Sequence, residues 1–200
     1  MSSLTLHHFT TVNLHTIALQ VASGECVALW GASGSGKSRL LRAIADLDPH
    51  HGEAWCGELQ RSQLPAPAWR QRVGYLPAES HWWSPRVGDH FPATCDLDLT
   101  RLGLEQAALD WEIARISSGE RQRLALLRML AQRPEVLLLD EATANLDQEN
   151  SARVEALIAD YRSQQQAAVL WVSHDPQQRR RIAQRGLEIV ANGLQEVTWS

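Results

Sequence analysis

Gly31-Ala32-Ser33-Gly34-Ser35-Gly36-Lys37-Ser38, set directly after the apolar run Glu25-Cys26-Val27-Ala28-Leu29-Trp30, decides how the rest of the chain is read. The octapeptide fits G-x-x-x-x-G-K-[ST], a loop whose glycines let successive backbone N–H groups converge on an anion at the positive end of the following helix. Lys37 is the only lysine among the 19 Lys and Arg residues. Arginine is a planar fork, whereas lysine is a compact ammonium on a flexible stem that enters a tight loop and meets a phosphate as a point charge. Ser38 would place its hydroxyl on Mg²⁺. The loop predicts a nucleoside triphosphate site built from Gly31, Ser33, Gly34, Gly36, Lys37, Ser38 and Arg39.

Two hundred residues suit one domain with a real core. A net charge of −4 sets up no global basic field, so no nucleic-acid partner is expected. The longest basic run, Arg179-Arg180-Arg181, reads as the solvated face of a helix. Cys26, Cys56 and Cys95 form no metal-ligand or CxxC pattern and fit a reducing compartment. Met1-Ser2-Ser3-Leu4-Thr5-Leu6 lacks the charge and apolar run of a signal peptide, and no stretch of about 18 apolar residues suggests a membrane span.

Outward from the loop, Thr5 to Phe9 and Ile17 to Val21 read as short strands. Leu40, Leu41, Ile44 and Leu47 recur at helical spacing until Pro49. Further strands are predicted at Glu53 to Cys56 and Arg72 to Leu76. Pro77, Pro85 and Pro92 then break the pattern, and only Leu104 to Ile113 reads as helical before Ile116. A helix is predicted from Gly119 to Gln132. Val136-Leu137-Leu138-Leu139 and Ala167-Ala168-Val169-Leu170-Trp171-Val172 are buried-strand runs flanking an amphipathic helix marked by Val154, Leu157, Ile158 and Tyr161. Glu188 to Ala191, Asn192-Gly193 and Leu194 to Thr198 predict a hairpin. Alternating buried strands and helices imply an α/β fold with a mainly parallel core sheet.

Asp140-Glu141 ends the first of these runs. At the carboxyl end of a buried strand, Asp140 can hold Mg²⁺ through water and Glu141 can polarise an attacking water. Ile116-Ser117-Ser118-Gly119-Glu120-Arg121-Gln122-Arg123 precedes the Gly119 helix. Here the chain resembles the ATP-binding cassette (ABC) family, whose signature is Leu-Ser-Gly-Gly-Gln before a basic helix. The order also fits: phosphate loop, signature, Asp140-Glu141, then Ala144-Asn145-Leu146-Asp147 and His174. The resemblance runs from Leu14 to Gly193.

That resemblance implies a P-loop NTPase with an N-terminal antiparallel β subdomain and a short α-helical subdomain. One domain would fill 1–200, with core and β subdomain at about 1–77 and 117–200 and the helical subdomain at about 78–116. It also implies two copies paired head to tail around ATP, with Ser117, Gly119 and Glu120 of one meeting the γ-phosphate held by the other. Lys37, Glu141 and His174 would be catalytic, and Ser38 and Asp140 would hold Mg²⁺. An aromatic residue is expected on the adenine, with Phe9 the candidate and His8 second. The family's usual glutamine after Val73-Gly74-Tyr75-Leu76-Pro77 is Ala78 here, leaving Glu79 either to reach the metal or to sit on the surface. Ser118 replaces the signature's first glycine. Trp82-Trp83 would either grip a membrane subunit or pack internally.

The implied function is the ATP-hydrolysing subunit of a transporter, a homodimer when ATP is bound, working on the cytoplasmic face beside a separate transmembrane permease. Val136 to Asp175 looks most like small bacterial cassettes of the iron- or metal-export kind. The alternative is a soluble ABC ATPase acting on a nucleic-acid or ribosomal partner. Those usually carry two cassettes, a coiled coil or a basic arm, and none is visible here. A degenerate regulatory cassette has only Ala78 in its favour.

Overall fold

The computed structural model describes residues 3–92, 98–191 and 193–199; Met1 and Ser2, Cys95, and Asn192 of the expected hairpin turn lie outside the described residues. In chain order the elements are β1 (Leu4–Thr10), β2 (Ile17–Val21), β3 (Cys26–Gly31), α1 (Lys37–Ile44), β4 (His51–Cys56), β5 (Leu59–Gln60), α2 (Ala66–Arg72) and β6 (Val73–Leu76). They continue as α3 (Ser118–Leu130), β7 (Val136–Asp140), α4 (Gln148–Gln165), β8 (Ala168–Val172), α5 (Pro176–Ile182), β9 (Arg185–Val190) and β10 (Gly193–Thr198).

The larger sheet has the order β10-β9-β3-β8-β7-β6. Every pairing in it is parallel except β9 with β10, which forms the expected hairpin. All residues of β7 and β8 are buried, which is why these strands read as unbroken apolar runs rather than as alternating ones. Side chains still alternate between faces. Val136, Leu138, Ala168, Leu170 and Val172 join one core cluster with α1 and the N-terminal sheet. Leu137, Leu139, Val169 and Trp171 join a second with α3 and α4.

The smaller sheet, β2-β1-β4-β5, is antiparallel throughout. Its central strand β1 buries Leu4 and Leu6, then shifts register between Leu6 and Phe9. His8 takes a left-handed φ of 47° at this irregularity, and the extra residue turns Phe9 inward in place of His8.

Leu104 to Ile113 does not form the α-helix its spacing suggests. The segment makes 3₁₀ turns at Gln106–Asp110 and Ile113–Arg115 instead. Non-local bonds claim its backbone: the N–H of Ile113 donates to the carbonyl of Pro85 at 2.8 Å, and the N–H of Val87 to that of Trp111 at 3.0 Å. Leu99, Leu102, Leu104 and Ala108 still reach the second core. Two of the three arginines in the basic run are likewise engaged rather than simply solvated. The Arg179 guanidinium lies 4.3 Å from the centre of the Trp30 ring, and Arg181 pairs with Glu155 at 2.7 Å.

Candidate active site

Three structures converge at the carboxyl ends of β3, β7 and β8. The phosphate loop turns through Gly34 and Gly36 at φ values of 76° and 103°, which glycine reaches without penalty. Gly36 also caps α1 with no side-chain hydrogen bond and no acid in the first turn, so the amino-terminal N–H groups remain available to an anion. Lys37 is 7% exposed, and its ammonium donates to the carbonyls of Gly31 and Ala32 at 3.0 Å each. The buried Ser35 hydroxyl has no hydrogen-bond partner among the described residues. A buried donor without an acceptor is costly, and an oxyanion cradled by the loop would relieve that cost. Ser33, Gly34, Ser38 and Arg39 are exposed around the loop.

Asp140 is buried at the end of β7. Burial pushes its carboxyl above the usual range, opposed by the hydroxyls of Ser38 and Tyr75 and by the Lys37 charge. The Tyr75 hydroxyl donates to Asp140 Oδ2 at 3.2 Å. Burial and the Asp140 charge push the phenol pKa up, so the tyrosine stays a donor. Glu141 follows in a left-handed conformation with φ 53°. Its N–H donates to the carbonyl of Val172 at 3.2 Å, and Glu141 Oε1 lies 2.9 Å from His174 Nε2.

Ser117 and Glu120 open α3 as a reciprocal capping box. The Glu120 N–H donates to Ser117 Oγ at 3.2 Å, and the Ser117 N–H to Glu120 Oε2 at 2.8 Å. The Ser117 N–H and the Ser117 hydroxyl, both donating to Glu120 Oε2, hold that carboxyl below its ordinary pKa. Asp147 caps α4 by accepting the Asn150 N–H at 2.7 Å. Arg123 of α3 donates to the Asn150 side chain, which ties the signature helix to α4. Among the described residues, no hydrogen bond or ion pair joins Ser117, Gly119 or Glu120 to the phosphate loop or to Glu141.

Phe9 is not available to a base. It is 0% exposed and stacks on His50 with ring centres 4.8 Å apart, because the β1 irregularity points it into the core. From the β1–β2 loop, Asn13 is the residue that meets the phosphate loop. Its Nδ2 donates to the Gly34 carbonyl at 3.4 Å, beside Val12 at 73% exposed. Ala78 is half-buried and Glu79 exposed. With alanine in place of the glutamine, Tyr75 supplies the polar contact from the β6 strand to Asp140. Asn13, Ser35 and Tyr75 were all missed in the sequence. Only Ser35 had a local signal, its place inside the loop.

A family profile described as ABC transporter matches residues 14–144. The chain belongs to the ABC transporter family. Two curated ABC proteins illustrate the match. Aliphatic sulfonates import ATP-binding protein SsuB 3 of Nocardia farcinica (strain IFM 10152) is 38% identical over 177 residues, 87% of this chain and 69% of that protein. Probable iron export ATP-binding protein FetA of Escherichia coli (strain K12) is 35% identical over 175 residues, 81% of this chain and 78% of that protein. Among solved structures, a dimeric ATP-binding cassette in a post-hydrolysis state bound to ADP and phosphate superposes with a TM-score of 0.83 over 98% of both chains. At 21% identity, that last likeness shows a shared fold.

Proposed function

We propose that this ABC protein is the ATP-binding and hydrolysing subunit of a membrane transporter, acting as a head-to-tail pair on the cytoplasmic face beside a separate membrane-spanning protein. The observation that carries the reading is the 2.9 Å contact between Glu141 and His174 at the ends of β7 and β8, next to the phosphate loop. It brings together a carboxylate able to accept a proton from water and an imidazole able to bond a terminal phosphate. No helix among the described residues is long and apolar enough to cross a membrane, so membrane transport calls for a second protein or segment.

Each residue then has a role. The backbone N–H groups from Gly31 to Ser38 and the Ser35 hydroxyl hold the phosphates, while Lys37 leaves its two carbonyls for the β- and γ-oxygens. Ser38 and Asp140 are hard oxygen donors that suit Mg²⁺, which when bound neutralises charge on the β- and γ-phosphate oxygens. Tyr75 keeps Asp140 oriented. Glu141 takes the proton from the attacking water. His174 bonds the γ-phosphate as negative charge develops there. From the paired copy, Ser117, Gly119 and Glu120 present the amino-terminal end of α3 to the γ-phosphate. Ser117 releases its hydroxyl bond to Glu120 Oε2, 2.7 Å long in the unpaired chain, to do so.

The likeness to iron or metal exporters does not identify a cargo. At 38% and 35% identity, the two curated relatives are named for sulfonate import and for iron export. Similarity at this level therefore does not follow cargo or direction.

Glu141→Gln tests the chemistry. Turnover is expected to fall on the order of 10²–10⁴-fold, the range a general base supplies, with a dimer in gel filtration when ATP and Mg²⁺ are present. Unchanged turnover without a dimer would overturn the assignment. The same variant, used as bait on gently solubilised native membranes, is expected to retain a stoichiometric multi-spanning protein. Ribosomal or nucleic-acid partners alone would remove the transporter role and leave the ATPase.

A further inference from the structure

The side chain of Gln178 closes a ring between the two catalytic loops. It sits on the first turn of α5 and is 6% exposed. Its Oε1 accepts from Ser173 Oγ at 2.6 Å. Its Nε2 donates to Thr143 Oγ1 and to Glu155 Oε1, at 2.8 Å each. Ser173 immediately precedes His174, and Thr143 lies two residues after Glu141. With the 2.9 Å contact between His174 and Glu141, the chain of bonds returns to its start.

The chemistry of this position is restrictive. An uncharged side chain must accept once and donate twice, which a primary amide does and a carboxylate cannot. Glu155 fixes the orientation of the amide, since a carboxylate faces only a donor. Arg181 holds Glu155 in turn at 2.7 and 2.8 Å. Ser173 Oγ also accepts the Asp175 N–H at 3.2 Å, so the hydroxyl proton is committed to Gln178. Glu141 is a non-glycine residue at φ 53°, a conformation that persists only where the surroundings over-determine it.

We propose that Gln178 is a positioning residue for ATP hydrolysis: by bridging Thr143 and Ser173 it sets the separation of Glu141 and His174. The proposal rests on the functional reading above. Among the described residues, the hydrogen bonds of the Gln178 side chain go to Ser173, Thr143 and Glu155 and not to the phosphate loop, so its removal should disturb the attack of water and leave nucleotide binding intact.

The test is steady-state ATPase of the full chain with ATP and Mg²⁺, well below each variant's melting temperature. Gln178→Ala is expected to lower kcat about tenfold with KM for ATP within about twofold, the split of an interaction that acts in the transition state. Gln178→Glu should lose more, because a second carboxylate then faces Glu155. Thr143→Val, which removes the bridging hydroxyl at nearly constant shape, should copy Gln178→Ala, and Thr143→Ser should restore most of the turnover. If Gln178→Ala fails to fold, the two Thr143 variants decide. Unchanged kcat in folded Gln178→Ala, or Thr143→Ser as damaging as Thr143→Val, would overturn the proposal while wild-type turnover keeps the ATPase reading standing. A wild-type protein without turnover would remove that reading, and the proposal with it.

Discussion

β7 and β8 bury every residue and lead into Asp140, Glu141 and His174, whereas the described residues between Pro77 and Ile116 turn repeatedly and leave Trp83 75% exposed. The two regions are positioned by different means. Parallel pairing on both sides clamps the catalytic strands, so a side chain at the strand end has little freedom. The irregular segment is held by single bonds and anchors: the Ile113 and Val87 N–H donations, buried Leu99 and Leu102, and the carbonyl of Pro77, which accepts from Gln122 Nε2 at 3.0 Å. Under the proposed function one region fixes atoms for chemistry, and the other presents side chains to solvent. Substitutions that separate stability from turnover should fall differently in the two.

The largest effect is expected at the strand ends. Asp140→Asn should reduce turnover on the order of 10²–10³-fold, as removal of a charge-stabilising group does, yet raise the melting temperature of the nucleotide-free protein. The sign follows from the raised carboxyl pKa. A group pushed up on folding favours the fold while protonated and loses that contribution as pH rises through its folded value. At neutral pH the buried charge therefore costs stability, and asparagine removes the charge while still accepting from Tyr75. A gain of about 2–4 °C corresponds to roughly 1 kcal/mol in a domain of this size. The gap between variant and wild type should narrow as pH is lowered in calorimetry; a lower melting temperature at neutral pH would refute the strain assigned to Asp140.

An intermediate effect is expected where the sheet accepts a large neighbour. A Cβ placed on Gly186 of β9 would overlap the Trp30 ring and lie 2.8 Å from Trp199, and these two rings stack 5.6 Å apart. Gly186→Ala should cost about 1–3 kcal/mol, as overpacking of a filled interior does. Denaturant unfolding measures it. A loss under half of that range would show that the Trp30–Trp199–Arg179 stack yields easily and that the sheet is less rigid than its neighbours suggest.

Legibility divides along the same line. β3, β7, β8 and the phosphate loop were readable because burial on both faces writes a continuous apolar run and because tight anion loops need glycine. Asp140 and Glu141 stand out as carboxylates at the end of such a run, and His174 through the family resemblance. What escaped depends on partners far away in the chain: Tyr75 with Asp140, Asn13 with Gly34, Gln178 with Thr143. Gln178 had a faint local signal, since Asp175-Pro176 is an N-cap and N1 pair that starts a helix. The resemblance offers Phe9 to the adenine, but the register irregularity at His8, which no local pattern announces, turns its ring into the core. α2 is seven residues long, too short for helical spacing to show, and is anchored by Trp69 Nε1 donating to the Ile44 carbonyl at 2.8 Å.

The smallest effect on the isolated protein is expected in the irregular region, at Trp83. Its ring lies 5.0 Å from the Arg128 guanidinium and 4.5 Å from His90, while the ring of Trp82 is closer to the same guanidinium, at 4.3 Å. His90 itself is held from below, since its Nε2 accepts the N–H groups of Trp83 and Ser84 at 3.1 Å each. Removing the outer ring therefore strips an exposed cation–π contact, worth about 0.5–1 kcal/mol, and an edge contact with the His90 ring, and leaves the loop backbone anchored. Trp83→Ala should fold, melt within a few degrees of wild type and hydrolyse ATP normally. An exposed aromatic that contributes little to its own fold is suited to a partner, where a buried ring is worth far more than on a free surface. Capture of the multi-spanning protein by the Glu141→Gln bait should accordingly be lost when Trp83→Ala is added. Undiminished capture would show that the surface ring serves only Arg128 and His90 and that the partner is gripped elsewhere.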